Sequence, residues 1–376
     1  MIEYVEARSA STREIIGIID NAKSIIWHDV YYGVGDFEIY APCNQETVDA
    51  LAVGNYVTRY NSRNVGIIEK LDVTYSPQDG RMIVASGRFA KSILDRRLIF
   101  KMSEHTVSPT VLRGNVEDAV RALVSDNAIN CSFDSGRNIA EIVLGADAGI
   151  TKRIIDNDGY AADKQVTYKE LLSYSDGLLE EYELGAYCAL DNNLKLAYTV
   201  FEGVDRSVDN TAGNQPVFFS QDFDNLLSSE YQYNNTKLKN AALIGGEGEG
   251  EARFCSIVKD SAVTGSKRRE VWVDSSSITK KYKDSSGTEQ TFTDDEYDKQ
   301  LKTAGTQKLA ELATVETFGG EIDISNSSFE YGVDFALGDK VTVQDTGIGL
   351  YINTRIVEIT EVQDDNGYSI EATFGK

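Results

Sequence analysis

Few residues in this 376-residue chain could carry chemistry. His28 and His105 are its two histidines, and a Ser-His-Asp, Cys-His or paired-histidine metal site needs at least one of them well placed. His28 lies beside Trp27 in a strand pattern, so we expect an ordinary half-buried side chain. His105 lies in an expected loop. The pattern HExxH is absent, which argues against a zinc hydrolase.

The string GGEGEGE at 245–251 is the most unusual local motif. A phosphate cradle needs the pattern GxxxxGK[ST], and the three interleaved glutamates would repel a phosphate. A dinucleotide site needs a following helix, which the sequence does not predict here. We interpret the string as a bulged strand connection that exposes carboxylates. Calcium binding stays open as an alternative, although the alternation lacks an ordered ligand set.

Two further motifs are weaker. The string DNDG at 156–159 resembles the start of a calcium loop, but the twelfth position would be Thr167, which cannot chelate. We predict a plain turn there. The string SITK at 277–280 matches SxxK without the companion motifs SDN and KTG. We therefore predict no catalytic, cofactor-binding or metal-ligating residues, no cofactor, and no enzymatic activity.

Four cysteines are widely spaced and form no CxxC pair; they are Cys43, Cys131, Cys188 and Cys255. We expect buried free thiols in a protein made in a reducing cytoplasm. The N-terminus lacks the basic and apolar regions of a signal peptide. No apolar run approaches the ~18 residues that a membrane span needs, so we expect a soluble chain that does not insert into membranes.

The net charge of −23 argues against wrapping a polyanion, because phosphate binding needs clustered lysine and arginine. It is compatible with a surface that repels DNA, or simply with a soluble acidic protein. Tyrosine outnumbers phenylalanine, 20 to 14, which suits half-wet surfaces and interfaces.

Any functional site must be positioned by the secondary structure of the chain, and the sequence predicts strands at both of its ends. Strand patterns with regular turns fill the first ninety residues, apart from a helix at 44–53 capped by Asn44. Helical spacing of apolar residues appears in the middle of the chain. The sequence predicts helices at 89–100, 116–126, 168–182 and 296–313, and strands at 184–190, 194–201, 254–258 and 269–274.

A repeat links the two ends. The pieces GNYVT at 54–58, IIEKL at 67–71 and GRMIVASG at 80–87 match GDKVT at 338–342, IVEIT at 356–360 and GYSIEAT at 367–373. The offsets are similar, at 284, 289 and 287 residues. We predict a β-rich, multidomain α+β protein in which two similar small β-barrels flank α+β domains.

Several stretches together resemble the siphophage tail and baseplate hub family, the structural part of tail-associated lysins and tail-tip proteins. They are GDFEIYAP (35–42), GIIE (66–69), GR (87–88), LDRRLI (94–99), GEGEGEAR (246–253), EVWVD (270–274), LGDKVTV (337–343) and RIVEI (355–359). The likeness covers nearly the whole chain, and that family is similar in fold to the baseplate hub of contractile tails.

The resemblance implies four domains: a first β-barrel at 1–100, an α+β domain at 101–215, a β-rich α+β domain at 216–312, and strands that complete a second barrel at 313–376. It implies a homotrimer whose six barrels close the tail tube and adapt threefold to sixfold symmetry. An acidic lumen would keep passing DNA from sticking.

Implied partners are a distal tail or tube-ring protein, the tape-measure protein, and tip, fibre or lysin proteins, in a virion assembled in the host cytoplasm. Any hydrolase or receptor-binding module is then expected to be a separate protein or to be absent. Two rivals stay open. A peptidoglycan-degrading tail lysin predicts activity that is lost with one carboxylate. A glycan-binding receptor module predicts an exposed aromatic groove.

Overall fold

The computed structural model describes residues 2–155, 161–283, 288–323 and 328–375. Strand accounts for 42% and helix for 19%, which confirms the predicted β-rich α+β class. No helix in the described ranges is both long and apolar enough to cross a membrane.

The first module consists of the N-terminal strands and one short helix. In β3 every second residue is buried, the alternation expected of a strand with one covered face. Helix α1 begins where Asn44 Oδ1 accepts a hydrogen bond from Thr47 N at 2.8 Å, as predicted. The elements are β1 (Val5–Arg8), β2 (Ile15–Ile19), β3 (Ser24–Val30), β4 (Asp36–Pro42), α1 (Gln45–Ala50), β5 (Tyr56–Thr58), β6 (Gly66–Ile67), β7 (Lys70–Ser76) and β8 (Gly80–Arg88).

This module has two layers. A sheet of order β2-β1-β5-β6 packs on strands paired in the order β3-β4-β8-β7. The core between the layers holds Trp27 and Phe37 from one sheet and Val5, Ala7 and Val57 from the other, all buried.

The middle of the chain forms an α+β domain with its own core. Helices α2 and α3 pack together over the β16–β17 hairpin, whose two strands were both predicted. The elements are β9 (Leu98–Ile99), β10 (Lys101–Ser103), β11 (Thr106–Ser108), β12 (Thr110–Leu112), α2 (Val116–Val124), β13 (Ile142–Leu144), β14 (Lys164–Val166), β15 (Lys169–Glu170), α3 (Leu171–Glu181), β16 (Gly185–Leu190) and β17 (Leu196–Phe201).

One predicted helix in this part is shorter than expected. A helix was predicted over residues 89–100, and the structure has a 3₁₀ helix over Ala90–Arg96. Arg97 N closes it with a bond to Leu94 O at 3.1 Å, and Leu98–Ile99 then pairs with β15. Strand pairing with a distant segment therefore overrides the local helical pattern.

A small domain follows, in which one long helix covers one face of the sheet β21-β20-β22. Thr293 and Glu296 form a capping box at the start of α4. Glycine fits at position 305 inside the helix because the Cβ of any other residue would press on the Ile244 side chain. The elements from here on are β18 (Phe218–Ser220), β19 (Glu230–Asn234), β20 (Ala241–Gly245), β21 (Cys255–Lys259), β22 (Glu270–Asp274), β23 (Lys281–Lys283), β24 (Glu289–Thr291) and α4 (Asp294–Glu311).

The second module combines β18 and β19 with the C-terminal strands β25 (Val315–Ile322), β26 (Lys340–Asp345), β27 (Leu350–Asp364) and β28 (Gly367–Gly375). Strand β27 serves two partners along its length. Its first half pairs with β26 and its second half with β28, and the register shifts between Ile356 and Glu358. Such a bulge bends a strand, so one strand can turn from one layer into the other.

The predicted repeat is present in the backbone of both modules. Gly54 N donates to Ile68 O at 2.8 Å, and Gly338 N donates to Ile356 O at 2.9 Å. Each isoleucine N donates back to the residue after its glycine at 2.9 Å. Both glycines have φ near +92°, a conformation that favours glycine.

The sequence alignment of the repeat needs one correction. Glu69 was matched with Glu358, but the pairing matches Lys70 with Glu358, since Lys70 lies opposite Ser86 and Glu358 opposite Thr373. The bulge and the loop lengths shift the register by one residue, which a gapless match of short pieces cannot detect.

The predicted barrels are not seen as closed sheets. In the described part of the chain no strand order closes on itself. The two modules are joined instead into one path of order β19-β25-β28-β27-β3-β4-β8-β7. It contains two inner units of like topology, β19-β25-β28-β27 and β3-β4-β8-β7.

We predict that Gly87→Ala destabilises the fold by about 2 kcal/mol, because its Cβ would overlap the carbonyl oxygen of Ile67. The matched control is Gly319→Ala in β25, where the nearest atom to an added Cβ is Ala372 O at 3.7 Å. Urea unfolding of both variants measures the difference. Equal stabilities would contradict the close packing between β8 and the β6–β7 connection.

Candidate assembly interface

The junction between the two inner units is the antiparallel pairing of β27 with β3. Seven residue pairs run from Glu358 opposite Val30 to Asp364 opposite Ser24. The chain's first and last segments are thereby held in one sheet. The two units join head to tail, because the last strand of one pairs with the first strand of the other.

A buried polar cluster fixes this junction from the core side. Glu361 lies opposite Trp27, is 2% exposed, and accepts from both Arg59 and Tyr368. The Arg59 guanidinium also lies 5.3 Å from the Trp27 ring centroid. A buried charge without its partner is strongly unfavourable, so this ion pair disfavours other registers.

Asp29 belongs to the same cluster and accepts a hydrogen bond from Asn64 Nδ2 at 2.6 Å. Burial raises the pKa of the Asp29 carboxyl to about 6, against the lowering effect of Asn64 and Arg59. The carboxyl is therefore neutral at a pH where exposed aspartates are charged.

Arg355 ties the second module to the middle domain. It is 3% exposed, donates to Gly338 O, and donates to Glu183 Oε2 at 2.7 Å. Lys340 Nζ lies 2.8 Å from the same carboxylate. The hydrogen bond from Lys340, with that from Arg355, lowers the pKa of Glu183 to about 2. The Tyr31 hydroxyl adds a 3.0 Å bond to the Glu183 carbonyl.

The opposite side of the eight-stranded path, here called the acidic face, points away from the module cores. Directly paired residues share a face, so the register identifies its members. Its basic residues on these eight strands, all of which the structure describes, are Lys70, Arg88 and Arg355, and of these Arg355 is buried. Its carboxylates are those of Asp36, Glu38, Asp72, Glu230, Glu321, Glu358, Asp364 and Glu371.

His28 lies half-buried on this face, as predicted. Its Nδ1 is 3.5 Å from Asp36 and its Nε2 is 3.7 Å from Glu358. The neighbouring Glu358 carboxylate raises the pKa of His28, in spite of the partial burial of the imidazole. His105 follows Glu104 in the exposed turn between β10 and β11, so the fold does not bring the two histidines together.

The string GGEGEGE connects β20 to β21, as interpreted from the sequence. Glu247 is tied down, because its N donates to Tyr297 Oη at 2.8 Å and its Oε2 accepts from Lys280 N at 3.0 Å. Glu249 and Glu251 are exposed. The described residues contain no cluster of His, Cys, Asp and Glu that could hold a metal.

The remaining candidates are dispersed. Lys280 of the SxxK match bonds to Asp294 Oδ1 at 2.6 Å. The string DNDG at 156–159 lies outside the described residues. All four cysteines are free; Cys131 and Cys188 are buried as expected, whereas Cys43 is half-buried and Cys255 is exposed, so the expectation is wrong for these two.

Sequence reasoning missed Arg59, Glu361 and Arg355. Buried charges have no local signature, since each looks like any other charged residue until its distant partner is known. One signal was available: Glu361 occupies a position that the alternation in β27 assigns to the core.

Comparison with known proteins places the chain in a family. The model of the family described as Siphovirus ReqiPepy6 Gp37-like protein matches residues 10–376. The chain therefore belongs to this family, and its resemblance to a siphophage tail family is confirmed. A search among curated proteins finds no match.

Two solved structures share the fold over the whole chain. A 43 kDa tail protein of prophage MuSo2 from Shewanella oneidensis has a TM-score of 0.56 at 11% identity, covering 99% of this chain and 98% of its own. A tail protein from Neisseria meningitidis MC58 has a TM-score of 0.54 at 14% identity, covering 99% and 96%. At such identities the likeness is one of fold.

We predict a specific pH dependence for Asp29→Asn. The folded-state pKa of Asp29, about 6, is above its ordinary 3.8. The contribution of Asp29 to stability is thus fully present below about pH 4, is lost as the pH rises to about 6, and is constant above. The free energy of unfolding of the natural chain relative to Asp29→Asn should fall over this range by at most about 3 kcal/mol.

Urea titrations at several pH values measure this difference. The control is Asp20→Asn, which removes an exposed carboxylate from the same module. A pH-independent difference for Asp29→Asn would show that this carboxyl is not held in a desolvated site.

Proposed function

We propose that this member of the siphovirus ReqiPepy6 Gp37-like family is a structural tail protein, a homotrimeric hub that closes the tail tube and adapts threefold to sixfold symmetry. One observation carries the proposal. Two inner units of like topology are joined head to tail in a single sheet, and the eight-stranded path that they form ends in two unlike edges, β7 and β19.

Head-to-tail contacts have a symmetry consequence. A contact between unlike surfaces either propagates without end or closes into a ring. If β7 of one chain meets β19 of the next as β27 meets β3 within a chain, every unit has the same neighbours. Three chains then present six units around an axis. The number three comes from the resemblance to tail hubs, where it matches the sixfold tube.

The acidic face supports the assignment of a channel. The other side of each inner unit is covered by further strands of its own module, which are β2-β1-β5-β6 in the first module and β18 and β26 in the second. The acidic face is therefore the side left to line a lumen. Negative side chains repel DNA phosphates, and a confined channel strengthens this field. Passing DNA would then slide without binding.

The two predicted barrels take a different form under this proposal. Each module alone is an open, two-layer structure, and closure occurs around the ring of three chains. We also propose one change to the four-domain division. Residues 217–234 supply strands to the second module, so they belong with 313–376.

The chain would do no chemistry in this role. Its partners would be the tube-ring protein above it, the tape-measure protein and DNA within the channel, and tip, fibre or lysin proteins below. It would be located in the virion, after assembly in the host cytoplasm.

We predict that the purified chain has three times the mass of one 41.4 kDa chain by light scattering. Negative-stain images should show a ring with six densities around a central hole, because three chains each contribute two inner units. A mass that stays at one or two chains across micromolar concentrations, with no ring, would contradict the proposal.

We predict that Glu38→Lys with Glu371→Lys makes the trimer retain short linear duplex DNA, because both carboxylates lie exposed on the acidic face. Retention should weaken steeply with added salt. It should be absent for a closed circle of the same sequence, which cannot thread a ring. The natural trimer should retain neither.

The matched control is Glu249→Lys with Glu251→Lys, the same charge change on the exposed connection after β20. Equal retention by both double variants would mean that the acidic face does not line the channel.

A further inference from the structure

The two edges of the eight-stranded path expose large apolar side chains. On β7 these are Val73 and Tyr75, 43% and 71% exposed, and on β19 they are Tyr231 and Tyr233, 41% and 58% exposed. All four are on the core side of the path, opposite the acidic face. Natural edge strands usually carry charges, prolines or bulges that prevent pairing, and apolar edges mark surfaces that become covered.

We propose that β7 of one chain pairs antiparallel with β19 of a second copy, in one defined register. This deepens the proposed function, on which it rests. The occupant is a second copy because the chain already contains the matching contact: β27 and β3 are the repeat equivalents of β7 and β19, and they pair within the chain.

The repeat fixes the register. Lys70 and Glu358 are equivalent positions of the repeat. Val73 and Glu361 each lie three residues further along their strand, so they are equivalent too. Trp27, the partner of Glu361, lies opposite Phe37, and Tyr231 lies opposite Phe318 in the same way. Trp27 and Tyr231 are therefore equivalent positions. The internal pair Glu361–Trp27 therefore becomes Val73–Tyr231 between chains.

Extending this register gives chemically matched pairs on both faces. The core-side pairs are apolar at two of three positions, and those on the acidic face are polar throughout. The core-side pairs are Leu71–Tyr233, Val73–Tyr231 and Tyr75–Ser229, and the acidic-face pairs are Lys70–Asn234, Asp72–Gln232 and Thr74–Glu230. A shift by one residue would place the tyrosines of β19 opposite Lys70, Asp72 or Thr74.

A cavity beside β19 fits this register. It has a volume of about 390 Å³, is open to the surface, and is lined by Ser229, Tyr231, Asp345, Ile348, Gly349 and Leu350. The register puts Tyr75 of the neighbouring chain opposite Ser229, at the rim of this cavity. Its phenol ring would enter this cavity, whose lining offers the apolar side chains of Ile348 and Leu350.

The side chains at the two junctions determine which strand pairs with which. Within the chain, Glu361 is neutralised by Arg59, which lies in the first module. If β27 instead paired with β19 of another chain, Glu361 would face Tyr231 without that arginine. Burying an unpaired carboxylate is costly, so β19 accepts the apolar β7.

The test is a disulfide between Asp72→Cys and Gln232→Cys, in a Cys43→Ser, Cys255→Ser background. This pair corresponds to Thr360–His28, which has no direct backbone hydrogen bonds because Tyr31 N bonds to Val357 O at 2.8 Å and bonded pairs alternate. Cα atoms in such pairs are about 4.5 Å apart, within disulfide range.

Within one chain, residues 72 and 232 are separated by seven strand steps, roughly 34 Å, so they cannot bridge. The matched control joins Asp72→Cys with Glu230→Cys, a diagonal pair about 7–8 Å apart in the proposed register. Light scattering of both variants before oxidation records whether trimers form.

The expected result is a covalent trimer on non-reducing gels for the Asp72–Gln232 pair, at least tenfold more abundant than for the control pair. Trimers that cross-link equally with both pairs, better with the control, or with neither would overturn the register while leaving the hub proposal standing. Absence of trimers before oxidation would overturn both.

Discussion

The pairing of β27 with β3 is the constraint on which the rest of the structure depends. It joins strands from opposite ends of the chain. The middle domain and the small domain that contains α4 are therefore formed by chain that lies between these two paired strands. The buried Arg59–Glu361 pair holds its register. Arg355 then joins the middle domain to the second module, because it donates to Glu183 in the former and to Gly338 in the latter.

This arrangement separates two tasks that one sheet has to perform. Inside the chain, a junction with buried charges makes one register far more favourable than its alternatives. In the proposed assembly, a neighbouring chain completes the contact that the exposed apolar side chains of β7 and β19 leave open. If that junction has the geometry of the β27–β3 pairing, a single folded chain already specifies how the next one is placed. The acidic face would then continue across both junctions.

Much of the local structure followed from the sequence, and the non-local pairing did not. Strand-type residues marked β3, helical spacing marked α2 and α3, and Asn44 marked the start of α1. The helix predicted over 89–100 ends early because Leu98–Ile99 pairs with β15 as a strand. The repeat was visible as matching short pieces. Its one-residue shift and the β27–β3 junction were not, since which edges meet depends on the whole chain.

The most direct measurement is a cryo-electron microscopy map of the assembled protein at a resolution that separates strands. The account predicts one unbroken ring of inner units, two from each chain, with Glu38 and Glu371 facing the central channel and Tyr75 covered by the neighbouring chain. A map in which β7 and β19 stay exposed to solvent, or in which the acidic face points outward, would contradict it.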